Sequence, residues 1–452
     1  MEQIKGDDAL RERLFMKVAR STKPGSIVKT FKRSLEESLS AFDNAEWHEM
    51  RACTAQLRQI VYSIEDLLKE DRAKEAMELS EFAISRVEDT LLHVDDSNGD
   101  LGGVLEELGG IHLAACKAVK PDPVKLANKL FREELAAHFD AYYGAVTQYQ
   151  DVLGPKGLAE YQRIAEAEWA KVEAIGPGGK DDDKHGNRWR LTRIMEQLAE
   201  QSGDLEKLVS IKASDLSLAY HYLTIAKLYK ENGKKDQVIK WAEKGVKAFP
   251  KKTDERLREF LADEYIALSR EDDAMKLVWK IFEDSPSLES YKTLKAYAER
   301  CKVWSTWREK ALDLLEEQAK SREASRGEKS EAAYFGFRDR STLVTIFLWE
   351  GDPARAWNEA KIGGCERGLW MKLAETREEE HPDEALSIYT EEVERLIKHS
   401  FSHVYDEPFA IIQRICKINK RTRREDDFTG YVQELKKRYK PKRNFMKLLS
   451  TL

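Results

Sequence analysis

Two blocks in the middle of the chain repeat one pattern of small and large residues thirty-six positions apart. Tyr222, Ile225, Ala226, Tyr229, Gly233, Val238, Ala242, Gly245 and Pro250 form the first series; Leu261, Ala262, Tyr265, Ser269, Ala274, Val278, Ile281 and Pro286 form the second. A fixed period of this length marks stacked helical hairpins, each of which can bury its apolar face only against its neighbours. Small residues at Ala226, Gly245, Ala262 and Ala274 let two helices approach closely, while Tyr229 and Tyr265 fill the gap between hairpins. Pro250 and Pro286 end the second helix of each pair.

This register follows the tetratricopeptide pattern, and weaker copies flank the central pair. Met195, Ala199, Gly203 and Leu208 precede it; Tyr291, Leu294, Ala298, Trp307 and Ala311 follow, then Leu343, Phe347, Gly351, Ala356 and Ala360, and finally Trp370, Leu373, Ala374, Ala385 and Tyr389. About five or six hairpins are expected, above the roughly three that a stable stack needs. The expected fold is therefore all-α, a tetratricopeptide-like α-solenoid of antiparallel hairpins.

Punctuation between the helical stretches agrees. In Trp349-Glu350-Gly351-Asp352-Pro353, glycine suits the left-handed helix end, Asp352 the N-cap and Pro353 the first turn. Ser202-Gly203-Asp204 and Asn232-Gly233 repeat the glycine stop, and Pro121-Asp122-Pro123 the capped start. Three stretches interrupt the periodicity: Asp95–Gly103, Gly176–Gly186, and the charged run from Lys320 to Glu331. The second of these sets the expected division, with an N-terminal helical region over 1–174 and a repeat array over 187–452 that ends in a basic segment.

The chain is long for one core, at 452 residues, and 35% of them are charged. No stretch reaches the roughly 20 apolar residues that span a bilayer, and the N-terminus has no apolar signal region, so a cytoplasmic location is expected. Five scattered cysteines without a CxxC pair suggest buried thiols rather than a zinc or redox site. Net charge is −6, yet Arg414 to Lys447 holds thirteen Lys or Arg against four Asp or Glu, a local +9.

The stretch from about Lys125 onward resembles the helical-repeat region of an uncharacterised bacterial family often attached to SWIM zinc fingers. The motifs that carry the likeness are Gly157-Leu-Ala-Glu-Tyr-Gln-Arg, Ile346-Phe-Leu-Trp-Glu-Gly-Asp and Lys440-Pro-Lys-Arg-Asn-Phe-Met-Lys-Leu-Leu. The CxC and CxH pairs of a SWIM finger are absent, so that finger's metal and nucleic-acid functions are not carried over, and the resemblance implies a bacterial helical-repeat protein.

Motifs for catalysis make no positive case. His399 and His403 share a helical face, but Ser400 stands where a zincin has its glutamate, and Trp47-His48-Glu49 lacks a second histidine. Gly176-Pro-Gly-Gly-Lys180 is followed by Asp181 instead of the Ser or Thr of a phosphate loop. Asp181-Asp182-Asp183 lacks the alternating spacing of a calcium loop. No nucleophile signature is present, and no cofactor or metal is expected.

Trp241, Trp279 and Trp357 lie at core-like positions on second helices, whereas Trp304 and Trp307 sit beside Lys302 and Arg308. First-helix positions of such hairpins line a concave face, which by register takes Tyr220, Leu223 and Lys227, then Arg256, Glu259 and Asp263. Leu223 and Lys227 depart from the carboxylate-clamp pattern of tetratricopeptide proteins. These residues favour a non-enzymatic scaffold or adaptor with a protein partner, Tyr220, Lys227, Arg256, Glu259 and Asp263 being its binding residues. A nucleic-acid contact through Lys436, Lys437, Arg438, Lys440, Lys442 and Arg443 is the alternative, and an enzyme with a cryptic site a further one. The same C-terminal segment also reads as an amphipathic plug on the last hairpin, with Phe445, Met446, Leu448 and Leu449 as its apolar side.

Overall fold

The computed structural model describes residues 24–44, 49–136, 138–181, 186–251, 253–324, 340–399 and 405–452. It divides into two compact units, Met1–Phe249 and Pro250–Leu452. Regular structure among the described residues is helical, with a parallel β-bridge between Ile175 and Asp215.

In the first unit, α1 (Pro24–Ser40), α2 (Met50–Lys69), α3 (Ala73–Leu91) and α4 (Asp100–Val119) pack both in sequence and alternately, α1 on α3 and α2 on α4. Then come α5 (Pro123–Ala136), the single turn α6 (Ala145–Gln148) and α7 (Gln150–Trp169), followed by α8 (Asn187–Ser202), α9 (Leu205–Lys212), α10 (Ala219–Glu231) and α11 (Lys235–Ala248). One apolar core runs from Ile27 through Leu57, Leu79, Val104, Leu130 and Tyr161 to Ile194 and Ile211.

The second unit holds α12 (Glu255–Ala267), α13 (Glu271–Asp284), α14 (Leu288–Arg300) and α15 (Trp304–Ala324), then α16 (Ser341–Glu350), α17 (Pro353–Gly363), α18 (Arg367–Arg377) and α19 (Pro382–His399). It closes with α20 (Asp406–Arg421), α21 (Glu425–Arg438) and α22 (Arg443–Leu449). Within each unit successive helices pair as antiparallel hairpins in the tetratricopeptide-like, solenoid manner, α10 with α11 and α12 with α13 most closely of the repeat pairs.

The thirty-six-residue register is a packing register. Ile225 and Leu261, Ala226 and Ala262, Tyr229 and Tyr265, Val238 and Ala274, and Ala242 and Val278 are all buried. Caps form as expected too: Asp352 accepts from the Arg355 amide at 3.0 Å ahead of Pro353, and Asp122 from the Lys125 amide at 2.8 Å.

Seven turns among the described residues share one geometry, broader than the glycine signal. Asp71, Gly203, Gly233, Ser269, Lys302, Gly351 and Arg423 all have positive φ. At each, the amide of the next residue donates to the carbonyl five residues before it, as from Lys234 to Tyr229 at 2.9 Å and from Arg270 to Tyr265 at 2.8 Å. This six-to-one bond satisfies a helix-end carbonyl that would otherwise lack a donor.

The glycine-rich segment expected to divide the chain lies inside the first unit. Ile175 donates to the Ser214 carbonyl at 2.7 Å, Leu216 donates back to Ile175 at 2.8 Å, and Gly178 donates to Ser217 at 3.1 Å. Residues 182–185, which include Asp182 and Asp183, lie outside the described residues, as do Trp47, His48, His403 and the His399 side chain.

Candidate interaction surfaces

Helix α10 turns Ala226 and Tyr229 inward, which leaves Tyr220 (45% exposed) and Lys227 on its solvent side, seven residues or two turns apart. Leu223 does not join them. It is buried, because the apolar face of α10 is wide enough to take Tyr222 and Leu223 together.

On α12 the matching positions are charged. Arg256 is exposed and folds back on the capping Asp254, Nη2 to Oδ2 at 2.6 Å, an exposed pair of small energetic weight. Glu259 is half-buried. Burial first, then repulsion from Glu255, Asp263 and Asp254, pushes its carboxyl above the usual range. Asp263 meets Arg300 at 2.8 Å, and the Arg300 guanidinium lies over Tyr297, whose hydroxyl donates to the Glu259 carbonyl at 3.2 Å. The structure therefore brings Asp263 and the Glu259 backbone together with Arg300 and the buried Tyr297, two residues the sequence pattern did not single out.

An aromatic group in the second unit was also hard to foresee. Trp279 and Trp307 stand 5.5 Å apart, with the Lys310 ammonium 4.0 Å and 4.6 Å from their ring centres. Trp304 packs edge-on to Tyr291 at 5.3 Å. Trp279 and Trp357 are buried as expected, whereas Trp241 is half-buried. Behind this group Glu350 receives Tyr291 at 2.8 Å and Arg308 at 2.9 Å. Burial opposes its charge, yet those bonds hold the carboxyl below the ordinary range.

The basic C-terminal set is split by its surroundings. Arg438 pairs with Glu394 at 2.5 Å and Glu434 at 2.9 Å, and Lys442 donates to the Ile397 carbonyl at 2.5 Å while lying over the Tyr405 ring. Lys437, Lys440 and Arg443 face solvent and Lys436 is half-buried. Phe445 and Leu449 of α22 are fully buried, Phe445 against Tyr405 and Tyr439, so each apolar side chain contributes about 1.5–3 kcal/mol to docking this helix.

Two buried polar groupings lie in the first unit. His112 joins Tyr149 through Nδ1 at 2.8 Å and Glu81 through Nε2 at 3.1 Å, and Lys129 reaches Glu81 at 2.5 Å. Burial works against ionisation of Glu81, but its bonds to His112 and Lys129 keep the carboxyl below its usual range. Glu134 accepts from Tyr161 and from the Gly144 amide. All five cysteines are free, and burial pushes the Cys116 and Cys365 thiols up to about 12. Among the described residues no helix is long and apolar enough to cross a membrane.

No curated protein matches the sequence. Two solved structures align over nearly the whole chain at low similarity. One is a circular tandem repeat protein with novel repeat topology and enhanced subunit contact surfaces, 12% identical over 96% of this chain and 98% of that one, with a TM-score of 0.20. The other is yeast Tom70, 14% identical over 94% and 91%, with a TM-score of 0.23. Neither superposition is close enough to inform function. The family match begins at the N-terminus, ahead of the Lys125 start of the resemblance drawn from motifs. A family profile described as "Family of unknown function (DUF6880)" matches residues 1–304, and the chain belongs to that family.

Proposed function

We propose that the protein is a non-enzymatic scaffold that holds a protein partner on the solvent faces of its first helices. Tyr220 and Lys227 would contribute in the first unit, and Arg256, Glu259 and Asp263 in the second. One observation carries this reading. Positions thirty-six apart keep their inward register, while the outward ones change character from Tyr220 to Arg256 and from Lys227 to Asp263. Outward residues that the hairpin does not need for packing are available for recognition, and opposite charges at matching positions suit a partner of mixed charge.

The test is purification from the native host at mild salt, with and without nuclease, for the wild type and the variants Lys227→Glu and Asp263→Lys. A stoichiometric protein that survives nuclease and is lost from both variants supports the reading. Nucleic acid that elutes with salt, with no such protein, overturns it and transfers attention to Lys436, Lys437, Lys440 and Arg443.

A further inference from the structure

A second surface lies in the first unit, on helices the repeat pattern did not mark. Helix α2 buries Leu57, Ile60, Val61 and Ile64, and this turns Arg51, Ala55, Arg58 and Tyr62 onto one outer face at spacings of four, three and four. With Gln59 and with Asp100 at the start of α4, this face lines a cleft of about 460 Å³. That is within the roughly 300–1,000 Å³ of ordinary ligand sites.

The groups in the cleft make complementary demands. Arg51 is exposed, and among the described residues it has no hydrogen bond or ion pair. Arg58 forms an ion pair without a hydrogen bond to Glu107, Nε to Oε1 at 3.2 Å. It crosses the first turn of α4 where Gly103 leaves room, since a Cβ there would stand 3.0 Å from its Nη2. Asp100 Oδ2 is buried and accepts no hydrogen bond from the described residues, a costly condition for a carboxylate oxygen. Tyr62, 46% exposed, offers a ring at the far end.

A ligand for this cleft must bring negative charge to Arg51, a group that the Asp100 carboxylate at the wall does not repel, and an apolar group to Tyr62. Phosphate meets only the first demand. It would face Asp100, and the α4 amides that might have drawn it, those of Leu101 and Gly102, already donate to Asp96 at 3.0 Å and 2.9 Å. A peptide main chain supplies N–H donors and its acidic side chains supply the charge. Arg51 and Arg58 begin about 10 Å apart along the helix, the length of roughly three residues of extended chain.

We propose that this cleft binds an extended acidic peptide segment. The site is on different helices from the surface proposed above and does not rest on it.

Fluorescein-labelled hexaglutamate, titrated into the full chain and followed by anisotropy, provides the test, with hexalysine and pyrophosphate as competitors. Arg51→Glu should weaken binding by about tenfold or more. Gly103→Ala, which displaces Arg58, should weaken it several-fold. Lys234→Glu and Lys437→Glu, at exposed lysines away from the cleft, should leave it within about twofold of wild type. Circular dichroism and the unfolding midpoint of Arg51→Glu should match wild type, because the residue is exposed. The proposal is overturned by affinity unchanged in Arg51→Glu, by equal weakening in Lys437→Glu, by pyrophosphate competing as well as unlabelled hexaglutamate, or by no binding up to roughly millimolar protein.

Discussion

The Tyr161 hydroxyl donates to Glu134 Oε2 across 2.5 Å, and both side chains are buried. The other oxygen of Glu134 takes the Gly144 amide at 2.7 Å, so this one carboxyl ties α5, α7 and the turn before α6 together. Burial raises the Glu134 carboxyl, and the Tyr161 bond opposes that shift. Tyr161→Phe should therefore cost about 2 kcal/mol, because it leaves a buried oxygen without its donor. The midpoint of urea unfolding, at unchanged m-value, measures the loss.

Gly363 lies where α17 passes a buried ion group. Arg340 bonds Glu323 at 2.8 Å and Glu359 at 2.5 Å. A Cβ at Gly363 would come within 2.3 Å of Glu323 Oε1 and 2.9 Å of Arg340 Cδ. Gly363→Ala should destabilise by about 1–3 kcal/mol, as overpacking does. Glu323→Ala in the same chain should recover only part of this, since Arg340 still blocks the methyl. A thermal unfolding series of the two single variants and the double variant separates these contributions.

Glu88 gives the fold a pH dependence. Burial first, then Glu133 and Asp89, pushes its carboxyl up to about 7, against the partial relief of Arg190. The folded chain thus holds a proton here that the unfolded chain has already lost above its ordinary value. The sign follows directly: stability falls as pH rises from about 4.5 to about 7. Glu88→Gln should flatten that part of the stability–pH curve and add about 1–2 kcal/mol at pH 8, a figure reduced for the side chain's partial exposure. Urea midpoints at pH 5 and pH 8 for both chains check the sign.

Gly233 and Ser269 stand thirty-six residues apart with φ of 70° and 58°. Serine in the left-handed region pays a steric cost that glycine does not, of roughly 1 kcal/mol. Ser269→Gly and Lys302→Gly should each raise stability by about 0.5–1 kcal/mol, and Gly233→Ala should lower it by about 1 kcal/mol. Unfolding midpoints of the three variants give the comparison.

Much of the fold was readable because hairpin packing needs small and large residues at set intervals. Ala226 and Ala262, Tyr229 and Tyr265 announce it, and Asp352-Pro353 and Asp122-Pro123 mark helix starts where they occur. Turns were legible only where glycine occupies the left-handed position. Asp71, Ser269, Lys302 and Arg423 adopt that conformation with the same closing bond, and nothing in their side chains signals it. Leu223 was misread because a thirty-six-residue register counts positions along a helix without measuring the width of its buried face. The environments of Glu134 and Arg58 depend on partners ten to fifty residues away, Gly144 and Tyr161 for the one and Glu107 for the other, which no local spacing reveals.

The recurring turn also bears on how such a chain can lengthen. Seven junctions, four in the second unit and three in the first, end a helix through the same backbone bond irrespective of side chain. A segment bounded by two of them presents matching ends, so a duplicated hairpin could be spliced in without any new connecting geometry. What divergence must then supply is only a compatible buried face, which makes tandem copying an accessible evolutionary route to this architecture.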